Sequence, residues 1–172
     1  MYQIGEVVSY GATGICTIED IRMESLSRAG TKKQNYYILR PAATPTCTTY
    51  VPVENETLTG KMRRVLTKGE IDGMIASAGG EKLEWIDDTR RRADAFSQIV
   101  AKGISADLLK LISCLYLEKK ARNKGGRKFC ATDEKLLSSA ERMVSEEFAY
   151  ALQIPQSKVT AYIAEKLGNE TV

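Results

Sequence analysis

The sequence predicts an α+β protein in two parts, a small β domain over residues 1–66 followed by an all-α helical domain over residues 67–172. Three observations carry that prediction. Short β-branched runs separated by glycine and polar turns fill the first 66 residues. From Leu66 onward the apolar spacing changes to that of helices. No internal repeat or low-complexity linker separates the two patterns, so the domains abut.

The β half is read from four runs. Glu6-Val7-Val8-Ser9-Tyr10 is followed by the turn Gly11-Ala12-Thr13-Gly14, and Ile15-Cys16-Thr17-Ile18-Glu19 resumes the pattern. A polar stretch over residues 25–33, with Gly30 for a turn, leads into Asn35-Tyr36-Tyr37-Ile38-Leu39-Arg40. Alternation places Tyr37 and Leu39 on one face of that strand and Tyr36 and Ile38 on the other. Thr48-Thr49-Tyr50-Val51-Pro52-Val53 closes the series. Pro52 has no N–H for a ladder, so this strand should lie at a sheet edge or terminate there. Strands this short, separated by turns, suggest a small curled sheet or an SH3/Tudor-like barrel.

The helical half is punctuated by caps. Thr67 starts a helix running to about Ala78, with Ile71, Met74 and Ile75 on its apolar side, and Gly79-Gly80 stops it. Asp87-Asp88-Thr89 opens a second helix through Ala93, Phe96, Ile99 and Val100, closed by Gly103. Ser105 is the expected cap of a third, carrying Leu108, Leu109, Leu111, Ile112, Leu115 and Leu117, apolar over so wide an arc that it reads as central. Thr132 is the expected cap of a long fourth helix with Leu136, Leu137, Ala140, Met143, Val144, Phe148 and Leu152 in its stripe. Ile154-Pro155 breaks it, and Ser157 starts a short last helix through Val159, Tyr162, Ile163 and Leu167.

Composition narrows the chemistry. The 172 residues include no histidine, which removes Ser-His-Asp and Cys-His catalysis and any histidine metal site. The four cysteines, Cys16, Cys47, Cys114 and Cys130, form no C-x-x-C pair, so they are expected as reduced and mostly packed thiols rather than zinc or redox ligands. There is neither a GxxxxGK[ST] nor a GxGxxG motif. The paired carboxylates Asp87-Asp88, Asp133-Glu134 and Glu146-Glu147 are adjacent in sequence, so on a helix they do not face each other, and two pairs sit at helix starts. The expectation is a protein without catalytic, metal or cofactor sites and without a small-molecule substrate. No apolar run reaches a membrane span and Met1-Tyr2-Gln3 opens no signal peptide, so a cytoplasmic protein without membrane contact is expected, most simply a monomer.

Charge is concentrated. Residues 85–130 hold eleven Lys/Arg against five Asp/Glu, whereas residues 131–172 hold four against seven. Within that basic region the stretch 119–128 carries six cations in ten residues, and Arg90, Arg91 and Arg92 lie together at the start of a helix, where the macrodipole disfavours them. Either a solvated face or a phosphate-binding surface explains these clusters. Trp85, the single tryptophan, lies outside the helical spacing just before them. It fits either a plug in a small core or an apolar wedge of the kind that unstacks a base step.

The arrangement resembles the CarD/CdnL family of bacterial transcription regulators, whose N-terminal module is shared with the transcription-repair coupling factor. The residues that carry the likeness run from Tyr2 to about Leu167: Gly5-Glu6-Val7-Val8-Ser9-Tyr10-Gly11-Ala12-Thr13-Gly14-Ile15-Cys16, then Tyr36-Tyr37-Ile38-Leu39, then Tyr50-Val51-Pro52-Val53-Glu54-Asn55. In the helical half they are Trp85-Ile86-Asp87-Asp88 with the following arginines, Leu115-Tyr116-Leu117-Glu118-Lys119-Lys120, Thr132-Asp133-Glu134-Lys135 and Glu146-Glu147-Phe148-Ala149. The resemblance implies a Tudor-like module that docks on the RNA polymerase β subunit by an edge strand, through Tyr50 and Val51 with the facing segment Ile21-Arg22. It also implies a helical module on double-stranded promoter DNA. There Trp85 wedges at the upstream edge of the melted region and Arg90, Arg91, Arg92, Lys119, Lys120, Arg122 and Lys124 grip the backbone, stabilising the open complex. Two other readings remain: a protein–protein scaffold without DNA contact, and an RNA-binding factor.

Overall fold

The computed structural model describes residues 1–25, 33–77 and 82–166, and the chain divides into two compact units, Met1–Val65 and Leu66–Val172. Gly30, Ala78, Gly79, Gly80 and Leu167, expected in turns or at helix ends, lie outside the described residues.

The first unit is a five-stranded antiparallel sheet of β1 (Val7–Tyr10), β2 (Gly14–Glu24), β3 (Gln34–Pro41), β4 (Thr49–Pro52) and β5 (Met62–Arg64), in spatial order β4-β3-β2-β1-β5. A single 3-10 turn, Gly11–Thr13, joins β1 to β2. Gly11, its first residue, and Gly14, just after it, adopt φ of 43° and 84°, which a side chain would resist. One face of the sheet buries Val8, Cys16, Ile18, Tyr37, Leu39, Val51 and Met62 in a continuous cluster. Tyr36 and Ile38, on the opposite face of β3, are buried as well, so that strand is covered on both sides. The register between β2 and β3 shifts between Ile18 and Asp20, a bulge at Glu19 whose carboxylate receives both Arg40 Nε and Nη2, at 2.8 and 2.7 Å.

Two elements of this unit were not expected. Asn55 caps a helical turn, α1 (Glu56–Thr59), its side chain accepting from the Leu58 amide at 3.1 Å. The turn carries the chain from β4 to β5, which pairs with β1 at the far edge. As expected from Pro52, β4 is an edge strand.

The second unit contains α2 (Lys68–Ser77), α3 (Thr89–Lys102), α4 (Ser105–Lys124), α5 (Ala131–Leu152) and α6 (Gln156–Lys166). Thr67 and Glu70 form a capping box, with the Thr67 amide and hydroxyl both donating to Glu70 Oε2 at 2.8 Å. Asp88 caps α3 by accepting from the Arg91 amide at 2.7 Å, and Gly103 ends it in the left-handed region at φ 67°. Two expected caps are displaced by one or two residues. Ile104 precedes α4 and Ser105 is its first buried residue, donating instead to Glu147 Oε2. Cys130, not Thr132, occupies the cap position of α5, and the amides of Thr132 and Asp133 hold its thiol below the ordinary value.

Leu108, Leu111 and Leu115 of α4 meet Phe96, Leu137, Ala140, Met143, Val144, Phe148 and Val159 in one core. Leu117 does not join them. It lies with Tyr116 on the exposed side of α4, so the apolar arc of this helix is narrower than its sequence suggests. Cys16 and Cys114 are packed, whereas Cys47 is exposed and Cys130 half-buried. Among the described residues no helix is long and apolar enough to cross a membrane, and no group of His, Cys, Asp and Glu is placed to hold a metal.

Candidate functional site

In the second unit, residues 82–88 form an irregular approach to α3 and carry Trp85. The indole is half-buried: it packs edge-on against Phe96, with ring centroids 6.3 Å apart, and borders the core cluster. Two guanidinium groups lie over its ring, that of Arg92 at 4.1 Å and that of Arg122 at 5.5 Å from the centroid. It is therefore neither a fully enclosed plug nor a bare wedge, but an indole seated on a cationic and aromatic bed with part of its surface free.

Arg92 determines that seat. Its side chain is 2% exposed, Nε and Nη2 reach Asp133 Oδ1 and Oδ2 at 3.1 and 2.9 Å, and Nη1 donates to the carbonyls of Ile86 and Asp87 at 2.7 and 3.1 Å. Asp133 is equally buried and lies in the first turn of α5, where the helix dipole favours a carboxylate. The carboxylate in turn holds the Arg92 guanidinium further above its ordinary value. A fork that satisfies a buried carboxylate and two loop carbonyls together pins the Trp85 segment to α5. This corrects the expectation that Arg92 grips a phosphate: its donors are already engaged inside the unit.

The remaining cations divide by environment. Arg90 and Arg91 are exposed on the first turn of α3, immediately after the Trp85 segment. Lys119 donates to Glu134 at 2.6 Å and Arg122 to Glu118 at 2.6 Å, so both are partly neutralised on the protein itself. Lys120 and Lys124 are exposed on the last turns of α4, and Arg127 and Lys128 follow Gly126, whose φ of 68° closes the helix. The basic residues thus come from two stretches of the chain, and Arg92 and Arg122, one from each, meet over the Trp85 ring.

In the first unit, Tyr50 projects from the edge strand β4, half-exposed, with its ring edge-on to Tyr36 at 6.3 Å. Val51, with 0% exposure, faces the core, so only its backbone is available at this edge. Ile21 and Arg22 do not face β4, because β3 lies between: Ile21 pairs with Tyr37, which pairs with Val51 on its other side. Arg22 is held by Asp20 and Glu24 of its own strand, at 3.6 and 2.8 Å.

Residues 2–66 match the family model described as the CarD-like/TRCF RID domain. The RID domain is an RNA polymerase-interacting domain, so the match is consistent with polymerase binding by the first unit and supports a CarD-like protein, as the resemblance implied. No curated protein matches the chain.

Within the matched unit, β4 ends the sheet order, with Tyr50 as its exposed aromatic. Sequence reasoning missed what surrounds Trp85. Asp133 reads as a first-turn acid rather than a buried partner, because Arg92 is 41 positions away and only the folded chain brings them together. Phe96 and Arg122 read as core and surface respectively, and the spacing of either on its own helix is silent about Trp85.

Proposed function

We propose that the protein is a transcription regulator that acts by binding, without a catalytic step. Its RID domain holds the β subunit of RNA polymerase through the β4 edge, and its helical unit contacts double-stranded promoter DNA. The carrying observation is the seating of Trp85: an indole fixed by Phe96, Arg92 and Arg122, partly free, and followed directly by the exposed Arg90 and Arg91. A rigidly held aromatic beside exposed cations suits insertion at a groove while the backbone is gripped. A contact made only when the strands part favours the open complex by its differential free energy. Lys120 and Lys124 supply further cations for DNA, whereas Lys119 and Arg122 are partly spent on Glu134 and Glu118.

The scaffold reading is weaker because a Trp85 held only for packing would not need two guanidinium groups on its ring. Binding of the full chain to a promoter duplex, measured against salt, tests the proposal. Each phosphate contact contributes about −0.9 to the slope of log K against log salt. Replacing Arg90 and Arg91 by Glu should reduce the slope by about two while retention on polymerase is unchanged. An unaltered slope removes these arginines from the interface.

A further inference from the structure

We propose that the exposed face of α4 around Tyr116 binds an unpaired DNA strand, stacking a base on the Tyr116 ring while Lys120 and Lys124 hold its phosphates. This rests on the reading that the helical unit works on promoter DNA, and gives the α4 face that holds Lys120 and Lys124 a different substrate form.

Tyr116 is 58% exposed on a helix whose neighbouring Leu115 is fully buried. Tyr116, Lys119, Lys120, Asn123 and Lys124 recur at steps of three and one, which brings them onto one face. Together they line an open concavity of about 560 Å³. Trp85 and Arg122 are not among those residues, so the concavity is distinct from the indole seat. From Ser105 through Lys128 the chain holds seven cations against two acids. Lys119 is engaged by Glu134, with Glu141 nearby, and contributes little. Lys120 and Lys124 keep their ammonium groups in solvent, and Asn123 offers both a donor and an acceptor.

An exposed aromatic among cations suits a polyanion that also carries flat apolar surfaces. Every base has such a face, so stacking is tolerant of sequence. In a duplex those faces are hidden between neighbouring pairs and are not open to stacking on the ring. An acidic peptide would satisfy the lysines and leave the ring unused. The combination therefore favours a separated strand over a duplex or a peptide.

The test is fluorescence anisotropy of a labelled oligo-dT with the full chain, beside a duplex and an oligo-rU of equal length. Tyr116→Ala should weaken oligo-dT binding about 5- to 150-fold and leave duplex binding unchanged. Tyr116→Phe should restore it, and Lys120→Gln with Lys124→Gln should flatten its salt dependence by about 1.4 in slope. Oligo-dT binding that is absent, or that Tyr116→Ala leaves unchanged, overturns the proposal. Tighter binding of oligo-rU than of oligo-dT overturns its assignment to DNA, and displacement by poly-glutamate equally well with and without the ring reduces it to a cation-exchange face. Failure of the underlying reading is seen separately, as the absence of salt-dependent duplex binding by the unaltered chain.

Discussion

Removing the carboxylate of Asp133 leaves the Arg92 guanidinium charged, buried and short of its bidentate partner. Breaking one side of such a pair costs about 3–5 kcal/mol, a third or more of the stability of many domains of this size. Asp133→Ala should therefore lower the unfolding free energy by that amount in urea, followed by far-UV circular dichroism. Replacing both partners, as Arg92→Met with Asp133→Leu, removes the stranded charge and should recover most of the loss, because an apolar pair of similar volume packs without desolvation. The double variant still differs at the site. The carbonyls of Ile86 and Asp87 lose their donor, and Trp85 loses a guanidinium 4.1 Å from its centroid, an interaction of about 1–2 kcal/mol. Since Trp85 is the single tryptophan, its fluorescence reports this directly: anisotropy should fall and acrylamide quenching should rise in a variant of near-native stability. A loss below about 1 kcal/mol in Asp133→Ala, or unchanged quenching in the double variant, would refute the claim that this pair seats the indole.

Other perturbations have equally definite outcomes. The Asp72 carboxylate accepts from the Tyr162 hydroxyl and lies near Lys166 and Lys68, which hold it below its ordinary value of 3.8. A depressed carboxylate stabilises the fold fully above its unfolded value and loses that contribution as pH falls through the folded one. Amide protection in α6, taken against the intrinsic exchange rate at each pH, should fall as pH drops below about 4, and Asp72→Asn should abolish that acid-dependent step. Glu147, 2% exposed, accepts from Ser105 Oγ and from the Leu66 amide at 3.3 Å. Glu147→Ala strands buried donors and should cost about 1–3 kcal/mol in thermal or urea unfolding. Gly103→Ala forces a side chain into the left-handed region and should lower stability by about 1–2 kcal/mol, with no change in DNA binding.

Local signals in the sequence were readable where the chemistry is local. Asp88 and Gly103 bound α3 as their residue types require, Thr67 and Glu70 start α2, and Pro52 marks β4 as an edge. The strand β5 was illegible because three residues, two of them arginine, show no alternation, and its place beside β1 depends on pairing across the sheet. The inner role of Arg92 was illegible for the same reason. Three consecutive arginines look alike in sequence, yet helical geometry turns one inward to Asp133 and leaves two outside. Leu117 read as core because the apolar residues from Leu108 to Leu117 spread over a wide arc of α4, and only the packing of α3 and α5 decides which part of it is covered.

The most direct measurement is the lifetime of the open complex on a weak promoter with the intact protein and with Trp85→Ala, the variant being shown folded and still retained on polymerase. If the indole meets a base only once the strands have parted, its removal should shorten that lifetime by about 5- to 150-fold, with occupancy of the closed complex unchanged. Equal lifetimes for the two proteins would contradict the account.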